Sequence, residues 1–138
     1  MKTTEMTVEK LEQYKGLTSE MKALRDQIDS LYDTYRSPQL MSDGGSHSMS
    51  AAGSPTESAV EKILNLKEIY SKKYEEALDL LAEVESWLST VDDVEIRSIC
   101  RHHYILNKSW SQTSAIVYGF SSYYNSRKRV MRYFGREK

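Results

Sequence analysis

Residues 60–91 read VEKILNLKEIYSKKYEEALDLLAEVESWLSTV, and in them Val60, Ile63, Lys67, Tyr70, Tyr74, Ala77, Leu81, Val84, Leu88 and Val91 recur mostly at alternating steps of three and four. That spacing holds these positions on one stripe of an α-helix, with Lys67 as the only charged intruder. Just upstream, Ser54-Pro55-Thr56-Glu57 offers a capping hydroxyl, a proline suited to the first helical position and a carboxylate that can close a capping box. A helix from Pro55 to about Ser89 would span roughly 50 Å at the α-helical rise. No core built from 138 residues can enclose it. It requires a partner helix.

The partner lies upstream. Tyr14, Leu17, Met21, Leu24, Ile28, Leu31 and Tyr35 repeat the same alternation, which predicts a helix from about Thr7 to Arg36. Gly16 inside it costs about 1 kcal/mol relative to alanine, and Ser37-Pro38 ends it because proline disfavours α geometry in the residue before it. Residues 37–56, SPQLMSDGGSHSMSAAGSPT, have no apolar period and read as a flexible connection. The expected fold of residues 1–90 is therefore a long antiparallel, coiled-coil-like helical hairpin. Its seam is Leu17, Met21, Leu24, Ile28 and Leu31 on the first helix, and Tyr70, Tyr74, Leu81, Val84 and Leu88 on the second. The seam left over favours a homo-oligomer, most simply a dimer.

Composition agrees with an all-α chain. Six glycines and two prolines are too few for the turns of an all-β domain, and the single cysteine, Cys100, cannot form an internal disulfide. No run approaches the ~20 apolar residues of a membrane span, and the opening MKTTEMTVEK lacks an apolar signal core. The expected place is the cytoplasm, without a membrane partner. Charge is nearly balanced overall, 19 basic against 20 acidic residues, but unevenly placed. Residues 57–95 carry four basic and eleven acidic side chains, whereas residues 96–138 carry nine basic and one acidic. The basic end is expected to attract phosphate.

After Thr90 the period resets. Asp92 and Glu95 are spaced as a capping pair, and Ile96, Ile99, Cys100, His103 and Tyr104 form the apolar face of a third helix ending near Asn107. Ser109-Trp110-Ser111-Gln112 has capping-box spacing and opens a short fourth helix that Tyr118-Gly119 stops. Ser121 or Ser122 can cap a fifth helix carrying Arg127, Lys128, Arg129, Arg132 and Arg136. Short helix, glycine turn and basic helix is the helix-turn-helix order, so residues 91–138 are expected to form a small DNA-binding domain. With a core stripe of Tyr124, Met131 and Phe134, or alternatively Tyr123, Val130 and Phe134, the residues Ser122, Asn125, Arg129, Arg132 and Arg136 face outward. Asn125 and Arg129 are the expected base readers, with Ser122 and Ser126 assisting. Arg127, Lys128, Arg132 and Arg136 are the expected phosphate contacts.

The stretch HHYILNKSWSQTSAIVYGFSSYYNSRKRVMRYF, about a third of the chain, resembles the region-4 helix-turn-helix of sigma factors. With the heptads and the Ser/Gly-rich connection, the whole layout resembles small phage and prophage proteins of Gram-positive bacteria related to phage late-gene transcription activators. The resemblance implies a phage-encoded, DNA-binding transcription regulator acting in the bacterial cytoplasm on double-stranded DNA, with host RNA polymerase as a further partner.

No catalytic constellation is legible, and no enzyme, cofactor or metal is expected. Cys100, His102 and His103 have no second ligand pair, the remaining histidine being His47 in the connection. Cys100 and His103 are expected to be buried, with His102 facing outward. Two other functions fit the same layout: a small DNA-packaging subunit of a phage terminase, and an interaction protein whose acidic hairpin occupies a nucleic-acid channel on a host enzyme.

Overall fold

A computed structural model describes residues 5–36 and 57–136. Among them are α1 (Val8–Arg36), α2 (Glu57–Leu88), α3 (Val94–Cys100), a π-helical turn (Arg101–Ile105), α4 (Trp110–Tyr118) and α5 (Tyr123–Tyr133). The chain is all-α. The connection 37–56 and the Ser54-Pro55 helix start lie outside the described residues.

The contacts divide the chain into two compact units, Met1–Ser19 together with Glu76–Lys138, and Glu20–Glu75. This differs from a division near residue 90, and the reason lies in one shared core. Met6 and Leu11 from the start of the chain, and Val84 and Leu88 from the end of α2, pack with Ile96, Ile99, Cys100, Tyr104 and Val130. Five short segments are each too small to enclose apolar side chains alone, and together they make one interior. In this unit α1 and α2 run antiparallel: Lys10 pairs with Glu83, and Gln13 Nε2 donates to Glu76 Oε2 at 3.4 Å.

Among the described residues, the unit of Glu20–Glu75 holds the later part of α1 and the earlier part of α2, again antiparallel, with Lys73 3.5 Å from Glu20 and Lys67 Nζ 2.8 Å from the Tyr32 hydroxyl. Of these described residues, Ile28, Ala59 and Ile63 are buried.

The α2 seam corrects the sequence reading at alternate layers. Ile63, Tyr70, Ala77, Val84 and Leu88 face α1 or the core as expected, although Tyr70 is only half-buried. Between them, however, the inward positions are Ala59, Leu66 and Lys73 rather than Val60, Lys67 and Tyr74, and Leu80 is buried beside a half-buried Leu81. Side-chain size misled: Val60 and Tyr74 are exposed, while small Ala59 turns in. Lys73 is tolerated because its stem packs while its ammonium meets Glu20. Lys67, the apparent intruder, lies outside and rests over the Tyr32 ring at 5.1 Å. On α1, Leu17 and Ile28 are buried and Met21, Leu24 and Leu31 half-buried.

Helix ends follow local chemistry closely. Ser109 and Gln112 form a complete reciprocal capping box, and Gly119 adopts the left-handed φ of +90° that stops α4. Ser122, not Ser121, caps α5, its hydroxyl accepting from Asn125 N–H. One cap differs: Asp93 rather than Asp92 accepts from Ile96 N–H and opens α3. The third helix also fails to run on to Asn107 as α-helix. It widens into the π-helical turn, and Asn107 at φ +62° closes it.

Candidate nucleic-acid interface

The fourth and fifth helices are joined by four residues, Gly119 to Ser122, and clasped by small side chains. Ser114 Oγ donates to Ser126 Oγ at 2.8 Å, Ser126 Oγ donates to the Trp110 carbonyl at 3.0 Å, and Ser126 N–H donates to Ser114 Oγ at 3.1 Å. A bulkier residue at either position would hold the helices apart. The clasp corrects the expectation for Ser126, whose hydroxyl is fully buried and occupied, and it is not placed to contact DNA.

It also sets the register of α5. The inward face is Ser126, Val130 and Met131, with Phe134 packed beside them, so each stripe foreseen from the sequence holds at its later positions and fails at its tyrosine. Tyr123 and Tyr124 both lie in the open, the latter 68% exposed. At about 100° per residue, Tyr124, Lys128, Arg132 and Asn125 fall within about 100° of one another on the outward arc. All four are exposed. A shallow depression of about 300 Å³ runs along this side, lined by Tyr118, Asn125, Lys128, Arg129 and Arg132.

The expected cations divide into two sets. Lys128 and Arg132 are exposed and carry no ion pair among the described residues. Arg127 is half-buried, its guanidinium 5.9 Å from the centre of the Tyr123 ring. Arg129 is committed inward: it pairs with Asp93, and its Nε lies 3.3 Å from Glu95 Oε2. Glu95 also accepts from the Tyr118 hydroxyl. Burial, together with this bond to Glu95, pushes the Tyr118 phenol up to about 12. The Asp93 carboxyl is held below its ordinary range, first by the Ile96 N–H and then by Arg129. The base-reading role expected for Arg129 is therefore corrected, because two carboxylates already use its donors. Arg136 is similarly engaged, 2.9 Å from Glu9. Ser122 and Asn125 bond to each other, Ser122 Oγ donating to Asn125 Oδ1 at 3.1 Å, which leaves the amide NH2 of the exposed Asn125 as a donor without a partner among the described residues.

No family model, curated protein or solved structure matches this chain. The site stands on its own geometry.

Elsewhere the chemistry is quiet. Cys100 is buried and its thiol is pushed up to about 12 by desolvation, so it carries almost no thiolate. His103 is buried, stacked on Trp110 at 3.5 Å, with Nδ1 2.7 Å from the Lys108 carbonyl. His102 is half-buried with Nδ1 2.9 Å from the Ser98 carbonyl. Among the described residues no group of three His, Cys, Asp or Glu side chains is placed to hold a metal ion, and no helix is long and apolar enough to cross a membrane. Tyr124 was absent from the DNA contacts expected from the sequence, which placed it on a core stripe. Its signal was its position, two residues past the Ser122 cap, where a first-turn side chain projects beyond the end of the core.

Proposed function

We propose that this chain is a helix-turn-helix protein that binds duplex DNA and regulates transcription, with α5 lying in the major groove. The observation that carries this reading is the outward arc of α5, where Asn125, Lys128 and Arg132 stand together on a helix entered through a left-handed glycine and a serine cap. Asn125, in the first turn, suits adenine recognition, since recognition helices present their N-terminal residues to base edges. Lys128 and Arg132 supply phosphate contacts that fix position without reading sequence.

The electrostatics favour a local rather than a long-range attraction. Within the unit that contains α5, the described residues carry ten basic and ten acidic side chains, so no broad positive field steers the approach. With Arg129 and Arg136 engaged internally, the exposed Lys128 and Arg132 offer about two phosphate contacts, which corresponds to a log–log salt slope near −2. The full-length protein should bind duplex DNA with that slope in fluorescence anisotropy. Lys128→Glu combined with Arg132→Glu should abolish binding with the helix content unchanged. Full retention of affinity in that double variant would refute the reading.

The same reading includes self-association through the unit of Glu20–Glu75. Val60, Leu64, Lys67, Ser71 and Tyr74 follow one another at steps of four and three, and Val60, Leu64 and Tyr74 are exposed. Pairing two modules offsets the weak binding of one by raising effective concentration.

A further inference from the structure

Tyr124 is the most exposed large apolar side chain among the described residues, at 68%. Its neighbours make that exposure more than incidental. Lys128 is one turn along on the same side, Asn125 is adjacent, and Arg132 completes the arc. An apolar ring set among groups that suit phosphates and base edges would meet a nucleotide surface first. The ring is also backed. Tyr123 packs edge-on against it at 5.7 Å, and the Arg127 guanidinium lies 5.9 Å from the centre of the Tyr123 ring. A supported aromatic side chain is a preorganised contact, because little conformational freedom is lost when it docks.

The major groove presents one apolar group, the 5-methyl of thymine. We infer that Tyr124 is a specificity-determining residue that packs its ring on a thymine methyl beside the adenine read by Asn125. The inference rests on the duplex-binding reading and narrows it to a preference for A·T pairs under the first turn of α5. Lys128 and Arg132 provide the charge complementarity that brings a polyanion to this face, and Tyr124 adds what charge cannot, discrimination between thymine and an otherwise identical base lacking the methyl.

Uracil differs from thymine at this edge only by that methyl, which makes the test direct. A duplex sequence enriched from a random pool by the full-length protein is prepared with each thymine replaced, one at a time, by uracil, and the affinity of each is measured by anisotropy. The full-length protein should lose about fourfold at one or two positions, the factor expected for one buried methyl-sized group. Tyr124→Ala should bind the parent duplex correspondingly more weakly and respond to no replacement, while Tyr124→Phe should keep the response. Because the side chain is exposed, neither substitution disturbs the core. The inference is overturned if no replacement matters to the full-length protein, or if Tyr124→Ala responds as before. It is also overturned if the single strand binds as tightly as the duplex, which would make the ring a platform for unpaired bases. Failure of the duplex-binding reading looks different: no duplex is bound or enriched at all, and the inference falls with it.

Discussion

His103 carries the main pH dependence of folding. Its ring is buried, stacked on Trp110 and edge-on to Tyr104. Desolvation, reinforced by the nearby Lys15 ammonium and opposed by the bond to the Lys108 carbonyl, lowers it to about 4. The unfolded chain therefore takes up this proton first, near pH 6.5. Stability is intact above that value and is lost as the pH falls from 6.5 toward 4, at up to about 1.4 kcal/mol per pH unit and roughly 3 kcal/mol in total. The depressed carboxyls of Glu9, Glu85 and Asp93 contribute in the same direction, but only as the pH falls below their ordinary range near 4. Urea titrations at pH 7 and pH 5 should show the loss. His103→Phe, which keeps an aromatic ring on Trp110, should be weaker at pH 7 yet nearly flat across that window.

At the scale of elements, the turn between α4 and α5 depends on one backbone geometry. Gly119 sits at φ +90°, and a Cβ there would meet nothing within 4 Å, so any cost of substitution is conformational rather than steric. Gly119→Ala should destabilise by about 1–2 kcal/mol, and Gly119→Asn by less, since asparagine tolerates the left-handed region. Equal stability of the alanine variant in urea unfolding would show that the turn has another geometry. The caps on either side were legible in the sequence because each is a local bond: Ser109 with Gln112, and Ser122 with the Asn125 N–H. The inward face of α5 was legible only at its later positions. At its start it is chosen by Ser114 across the interface, which admits Ser126 and leaves both tyrosines outside.

For the molecule as a whole, the charge arithmetic of the sequence overstates the cationic surface. Acidic residues that precede α3 or begin it are folded against the basic tail, and Asp93 with Glu95 withholds Arg129. Asp93→Asn combined with Glu95→Gln should release that guanidinium, tighten DNA binding several-fold at low salt and steepen the salt slope by about one. An unchanged slope would mean that Arg129 stays oriented away from DNA even without its carboxylates. The same scale governs assembly. Leu64 is the most exposed apolar residue of the stripe on which self-association is proposed. Sedimentation equilibrium should report an oligomer for the full-length protein and a monomer for Leu64→Glu, whereas a monomeric full-length protein would remove assembly from the proposal.

Sequence by itself determined the all-α class, the order of the helices and most of their ends, because periodicity and capping are interactions among residues within one or two turns. It also placed Ile96, Ile99, Cys100, His103 and Tyr104 on one buried face, since an unbroken apolar stripe of that width leaves little choice. Tertiary structure alone decided which of two adjacent stripes α2 turns inward, that the ends of the long helices belong to the core of the C-terminal helices, and which arginines remain available. Those outcomes depend on partners far away in the chain. Lys73 turns inward where Glu20 lies opposite it, and Arg129 is withheld because Asp93 and Glu95, more than thirty residues earlier, fold back to meet it.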